Sequence, residues 1–578
     1  MNYSALVLFT LALLAHPVSQ LHVFSHLAGL QYLLIIAGLY TLFERRIPFT
    51  LPEREASRWS LAVFLVSGLL LLFLFPMRRI AAPPCGAGDS LWLVELLPLS
   101  AELIGYWSSF DEILEPLARS LSYRLISSLS AHSVSGFFST DFTVTDAASL
   151  LQAGNYQRIL FSLGLYSILC GVIELFGVAF FLRKRPLRSQ LRGFLLLFAV
   201  PTVQLFAGYI EHYAFSSMSL SMILLLVWSD LDSRSTSRKS SHTVPAVISA
   251  LAALAVLHHM IAGFLLPGLV YYLWLRNHDH RKNFLVKNFI REGFLCLFIA
   301  LFVLSCGWYL YFNVLQLSME GSHFLHPPVL PPHKIFSSMN VFKIVFVLLL
   351  SAPAVFAFPG LLLQRPDDAA VKVLVSVALT YGLQLAVWNP VIGLPADWDL
   401  LSAVAIPLHI LIFVNSEKNP DRIGLGSLAA VTLLPAVLWL QYNHRNDQKQ
   451  AVLALKTAQT VVLDLKDDPA WKNLPVGKKK ELMLLHLLVE KIDGDRSEVR
   501  RLLKKARYSP NDQTYTEALT AIHRLLEPVI QEKKVPGSFC SNVIWIRMVS
   551  HPLVEGSFTA QAGGSLYRRE YHTGMYRY

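Results

Sequence analysis

Apolar runs recur along most of the chain, each bounded by a short polar stretch. A membrane-spanning helix needs about 20 mostly apolar residues. Runs of that kind lie at about 3–17, 21–43, 59–77, 158–182, 193–211, 214–229, 244–258, 260–275, 293–312, 341–363, 371–388, 401–415 and 423–442. They predict thirteen spans. The 3–17 run has the length of a signal-peptide core, but no basic residue precedes it, so it is counted as a span. The 244–275 stretch exceeds one crossing, which predicts a hairpin of two spans.

The polar stretches between spans differ in charge. Arg45, Arg46, Arg54 and Arg58 follow the second span, and Arg183, Lys184, Arg185, Arg188 and Arg192 follow the fourth. Arg234, Arg238 and Lys239 follow the sixth, and Arg276, Arg281, Lys282 and Lys287 the eighth. Arg365 with Lys372, then Lys418 with Arg422, occupy the next two alternate loops. The intervening loops at 208–213, 258–259 and 389–400 hold no Lys or Arg, and 313–338 holds only Lys334. Cytoplasmic loops carry the Lys/Arg excess. The alternation therefore predicts a cytoplasmic N-terminus and an integral membrane protein.

Two larger segments then fall on the non-cytoplasmic side: the loop at 78–157 and the tail from 443 to 578. In the tail, 450–466, 478–491 and a stretch around 513–530 show apolar residues at helical spacing, as in Leu482, Leu485, Leu488 and Val489. They predict a small helical bundle. The expected organisation is two additional helices at 1–58, a membrane core at 59–442 and an extracytoplasmic, mainly helical domain at 443–578. The fold class is all-α, polytopic and transmembrane.

Composition agrees. Charged residues are only 15% against 54% hydrophobic, with a mean hydropathy of +0.47; soluble proteins hold roughly 25% charged. The net charge of +11 sits mainly in the short loops, which argues against nucleic acid as a partner. Five cysteines with no CxxC pair indicate neither a zinc site nor a disulfide framework. Cys85 and Cys540 both fall outside, where a disulfide between loop and tail is chemically open. Cys170, Cys296 and Cys306 lie within spans as packing residues.

The candidate reactive residues gather on the side away from the basic loops. The 78–157 loop opens with Cys85-Gly86-Ala87-Gly88-Asp89-Ser90 and continues to Asp111-Glu112-Ile113-Leu114-Glu115-Pro116-Leu117. From there Ile113, Leu114, Leu117, Leu121 and Leu125 predict one apolar face of an interfacial helix, with Arg119 and Arg124 opposite. Asp111 and Glu112 would serve as first-turn acids. Gly208-Tyr209-Ile210-Glu211-His212-Tyr213 closes the fifth span, and His258-His259 turns between the seventh and eighth. The loop with Glu320, His323 and His326 runs into prolines at 327, 328, 331 and 332 and reads as an extended lid. Asp399 in Asp397-Trp398-Asp399-Leu400 reads as the N-cap of the twelfth span. Asp397 has no such structural role, and Trp398 suits the headgroup belt or a sugar face.

One large outer loop after an early span, followed by short outer loops bearing acids and histidines, resembles the GT-C superfamily of integral-membrane glycosyltransferases. The resemblance covers about 59–442. The Gly-Asp-Ser at 88–90, Glu115-Pro116-Leu117, the Gly208–Tyr213 stretch and Asp397-Trp398-Asp399 look like those of uncharacterised bacterial proteins related to the protein mannosyltransferases. It implies sugar transfer from a polyprenyl-phosphate carrier, within the lipid bilayer's outer face, to an acceptor the sequence leaves unnamed. The superfamily's acidic pair in the first outer loop is matched by Asp111-Glu112, with Asp89 the alternative counterpart nearer the span. The implied catalytic set is Asp89, Asp111, Glu112 and Glu115. Substrate contacts fall to Glu211, His212, His258, His326, Asp397, Trp398 and Asp399, with a divalent metal left open. A transporter or lipid flippase is the alternative. It calls for ionisable residues near mid-bilayer beside broken helices, whereas the span centres read as nearly uncharged.

Overall fold

The computed structural model describes residues 58–73, part of 114–125, 156–208, 213–235, 242–278, 282–310, 329–362, 364, 368–388, 398–418 and 423–437 except 434. In the tail it describes 468, 469, 486, 497–508, 517 and 521. The predicted spans at 3–17 and 21–43, the tail helices at 450–466 and 478–491, most of that around 513–530, and both Cys85 and Cys540 lie outside the described residues.

The described residues build an all-α bundle, with one isolated antiparallel bridge between Val329 and Trp388. Helices α1 (Arg58–Phe73), α2 (Tyr156–Leu182), α5 (Ala214–Ser235) and α6 (Thr243–His258) fall where the apolar runs place the third, fourth, sixth and seventh spans. Among the described residues, four stretches are long and apolar enough to cross a membrane: Gly164–Leu182, Ala214–Ser233, Phe289–Tyr309 and Ala369–Val387. The expected pair at 244–275 is two elements. His259 is extended (φ −159°, ψ 130°), and a 3₁₀ turn at Met260–Leu265 leads into α7 (Leu266–His278).

Besides the eighth, which opens with that 3₁₀ turn, three predicted spans are not single helices among the described residues. The fifth starts in α3 (Leu187–Gly193), passes through a π turn at Phe194–Phe198, and resumes only as α4 (Pro201–Phe206). Pro201 supplies no N–H to continue the ladder, and the Gln204 side chain instead donates to the carbonyl of Phe198 at 2.8 Å. The tenth splits into α9 (Ser338–Ser351), α10 (Pro353–Ala357) and α11 (Pro359–Leu362), each break falling just before a proline. The twelfth begins as a turn at Trp398–Leu401, tightens to 3₁₀ over Ser402–Val404 and continues as α13 (Ala405–Lys418). The ninth is longer than its apolar run, because α8 (Lys282–Tyr309) includes the mixed-polarity residues before Phe289.

Between helices surrounded by apolar solvent, close packing of small residues replaces the hydrophobic drive. A Cβ at Gly171 would lie 2.5 Å from the Ala207 Cβ, and one at Gly177 would lie 2.3 Å from the Met222 sulfur. These contacts hold α2 against the broken fifth span and α5. On the outside, Phe294, Phe298 and Phe302 of α8 are all more than 60% exposed at helical spacing. That is the pattern of a lipid-facing helix.

One end of the bundle collects the basic residues. Arg185 pairs with Asp232 at 3.7 Å and lies over the Trp228 ring at 5.2 Å. Arg276 is fully buried between Asp230 (2.8 Å) and Glu292, and Glu292 also receives Asn277 at 3.0 Å and His242 at 2.7 Å. Lys418 pairs with Asp368, the N-cap of α12 (Ala369–Val387), whose carboxylate accepts from the N–H groups of Ala370 and Val371. Partial burial works upward on the Asp368 pKa, but Lys418 and the two N–H groups outweigh it and hold it below the usual range.

Two outcomes follow. Gly171→Val destabilises the protein by about 1–3 kcal/mol through overpacking, whereas Gly382→Ala, where a Cβ meets nothing within 4 Å, is neutral or stabilising by up to about 1 kcal/mol; thermal unfolding in nanodiscs distinguishes them. The depressed Asp368 pKa contributes stability above its unfolded pKa, near 3.9, and loses it as pH falls through the lower folded value. Asp368→Asn therefore flattens the acid limb of the stability–pH curve.

Candidate functional site at the polar end

At the end opposite the basic cluster, an ion pair with no solvent exposure joins the first large loop to the bundle. Described positions of 114–125 are helical. The side chains they bury are Glu115, Arg119 and Ser122, while Leu121 and Leu125 are about 40% exposed. Of the apolar face predicted for this interfacial helix, Leu121 and Leu125 are exposed while Leu114 and Leu117 are half-buried; the stripe at i, i+4 and i+7 that carries Glu115, Arg119 and Ser122 faces the bundle.

Arg119 donates from Nη2 to Glu115 Oε1 at 2.8 Å and to the Ser167 hydroxyl of α2 at 2.9 Å. Its guanidinium lies 5.7 Å from the Tyr166 ring centroid. Burial pushes the Glu115 carboxyl upward in pKa; Arg119, then His259 and the Phe215 N–H, pull it down without cancelling the rise. The segment is pinned at its start as well, since the Leu114 N–H donates to the Leu257 carbonyl at 2.9 Å. That bond satisfies one of the free carbonyls at the end of α6.

The two histidines after that carbonyl have separate surroundings. His258 Nδ1 donates to the Leu254 carbonyl at 2.8 Å, and its ring stacks 3.8 Å from Phe215 and 6.3 Å from Tyr166. His259 Nδ1 accepts from the Ile261 N–H at 3.0 Å, so in the neutral ring its proton resides on Nε2. The His259 ring packs 4.7 Å from Tyr213, the last residue of the Gly208–Tyr213 motif. That motif opens on Gly208 at φ 134°, a conformation glycine alone adopts without strain.

A cavity of about 10 Å³ lies beside this cluster, lined among others by Tyr213, Ser217, Ile261, Tyr381, Leu400 and Ala403. It brings the residue that closes one motif next to the residue that closes another, Asp397-Trp398-Asp399-Leu400. The end of the histidine loop is fixed nearby: the Leu330 N–H donates to the Val387 carbonyl at 2.8 Å, and Phe264 packs edge-on against Trp388. Four segments predicted to share one side thus meet at one end of the bundle.

Of the predicted site residues, Glu115 and His258 are placed with their side chains, both buried and both bonded within the protein. Trp398 and Asp399 are placed by backbone alone. The helical turn starts at Trp398, so Asp399 is its second residue, and the preceding position is Asp397. This corrects the N-cap assignment, which rested on the twelfth span starting at 401. Asp89, Asp111, Glu112, Glu211, His212, His323, His326 and Asp397 lie outside the described residues. Among the described residues no three His, Cys, Asp or Glu side chains group as a metal site would need. Tyr166 and Ser167 were not selected from the sequence, whereas Arg119 and His259 were noted there without these partners; the Glu115–Arg119 spacing of four was the available signal for their pairing.

No protein-family model matches the sequence, and no curated protein matches it either. Among solved structures the chain is similar to the crystal structure of ArnT from Cupriavidus metallidurans bound to undecaprenyl phosphate. Identity is 13%, over 86% of this chain and 78% of that one, with a TM-score of 0.37. A likeness that distant leaves fold and chemistry to be argued from this chain's own residues.

Removing one partner of a buried ion pair costs far more than removing both. Arg119→Met should therefore lose about 3–5 kcal/mol, and Glu115→Met/Arg119→Met should recover most of it in thermal unfolding. Equal losses in the single and double variants would mean that the pair is not coupled.

Proposed function

We propose that the protein is a membrane glycosyltransferase that moves a sugar from a polyprenyl-phosphate carrier to an acceptor on the non-cytoplasmic face. The observation that carries this reading is the meeting of residues 114–119, 213–217, 257–261 and 400–403 at the end opposite the basic loops. Each belongs to, or directly follows, a motif that resembles those of the GT-C superfamily.

In this reading the acceptor hydroxyl attacks the anomeric carbon while a carboxylate takes its proton. The bond from that carbon to the phosphate oxygen breaks, and polyprenyl phosphate leaves. Asp89 or Asp111 is assigned as the base, with Glu112 beside it. Glu211 positions the donor head group, and Asp397 contacts the sugar or a divalent metal. His212, His323 and His326 are the candidates to face the leaving phosphate. Glu115 and Arg119 are assigned to hold the loop rather than to touch substrate, because each is fully buried in its partner. The alternative, a transporter or flippase, gains two observations: the fifth span is broken, as the discontinuous helices of transporters are, and the ionisable Glu174 and His409 are buried within the bundle.

The test is release of polyprenyl phosphate from lipid-linked sugars by the purified protein in nanodiscs, followed by mass spectrometry. A positioned general base contributes about 10²–10⁴ in rate. Asp89→Asn or Asp111→Asn should lower release by that factor, and Asp397→Asn should also lower it. Full activity in all three variants would remove the assignments, and movement of intact lipid-linked sugar without release would favour the alternative.

A further inference from the structure

The middle of the bundle holds ionisable groups that the polar end does not use. Glu174 lies within α2 and is 3% exposed, although its span reads as apolar from the sequence. The Ser221 hydroxyl of α5 bonds to its carboxyl, and Glu174 Oε1 has no hydrogen-bond partner among the described residues. No described Lys or Arg acts on it. His409, within α13, is 1% exposed, and its Nε2 also lacks a partner there. Ser221 and His409 line the same closed cavity of about 10 Å³. The break in the fifth span, at Val200, forms another wall, and the remaining lining is Leu, Ile and Val.

A void of this size accommodates one water, and a water stays where polar groups can hold it. The His409 imidazole, neither of whose nitrogens has a partner among the described residues, borders this void and would be left unsatisfied by a dry one, and Glu174 reaches the void through Ser221. An ionised carboxylate at this depth, with no cation paired to it, is strongly disfavoured against its neutral form.

We propose that Glu174, Ser221, one cavity water and His409 form an internal proton relay. In the resting chain the Glu174 carboxyl O–H donates to Ser221 Oγ, the Ser221 hydroxyl donates to the water, and the water donates to His409 Nε2. Relay breaks the O–H bond at Glu174 and forms an N–H bond at His409, with one proton exchanged at each step between, so that carboxyl plus imidazole becomes carboxylate plus imidazolium. The Glu174 carboxyl in turn acts on the Cys170 thiol, one turn earlier on α2. The relay crosses the bundle where its most broken span passes.

Infrared spectroscopy of the full chain in nanodiscs tests this directly. The expected result is a carboxylic-acid carbonyl band that shifts in D₂O and is lost in Glu174→Gln. The same band should change frequency in Ser221→Ala and in His409→Phe, and return toward its original position in His409→Gln, which restores an acceptor. Circular dichroism reports whether each variant folds, and His409→Gln keeps the test valid if His409→Phe does not. The proposal is overturned if Glu174→Gln removes only ionised-carboxylate bands, or if the acid band ignores both Ser221 and His409. It is overturned equally if sodium abolishes the acid band, which would make the site one for a metal cation.

Discussion

The Glu115–Arg119 pair is the interaction on which the polar end depends. A bundle bathed in lipid has no outside water to satisfy stray charges, so polar groups must find partners inside. Arg119 does so with a carboxylate, a hydroxyl and an aromatic face contributed by two segments. Because the pair sits on the inward stripe of 114–125, it draws the large loop down onto α2, α5 and the His258–His259 turn. A buried pair of this kind adds little net stability over apolar replacements. Its value is positional: it fixes which face of the segment points in.

The two ends divide the work. At the basic end, Arg276, Glu292, Asp230 and the Asp368–Lys418 pair tie helix termini together. At the polar end, backbone and aromatic contacts bring residues from distant parts of the sequence around a small cavity. Between them, the fifth span departs from a regular helix: Gln204 donates to its freed Phe198 carbonyl, Thr202 ties it to the Ser351 carbonyl of the tenth span, and Val200 at its break borders the cavity that Ser221 and His409 line. The broken geometry is tolerated because it is enclosed by protein rather than lipid.

Hydrophobic run length was enough to locate most helices, since α2, α5, α6 and α12 fall within a few residues of their apolar runs, apart from the polar extension of α5. Run length carries no information about breaks inside an apolar stretch. The interruptions at 199–200, 352 and 358 escaped it, although Pro201, Pro353 and Pro359 marked each one. The sequence showed the two faces of 114–125 but not that Glu115 and Arg119 on the polar one would be buried against the bundle, because that depends on partners from α2 and α5. Glu174 and His409 were passed over for a related reason, as single ionisable residues barely lower the hydropathy of a long run. Among its described side chains the helix at Ser497–Tyr508 buries Val499, Leu502 and Leu503, too few apolar positions to stand out among its charges. The meeting of the four outer segments was anticipated only as a shared side, from loop charges, and their contacts required the fold.

Sidedness of turnover tests the central claim most directly. Membrane vesicles of both orientations, each given a short-chain, water-soluble polyprenyl-phosphate sugar from outside, separate the two faces. The account predicts transfer in right-side-out vesicles and none in intact inside-out vesicles until they are permeabilised. Transfer from the cytoplasmic face, or no release of lipid phosphate in either orientation, would contradict it.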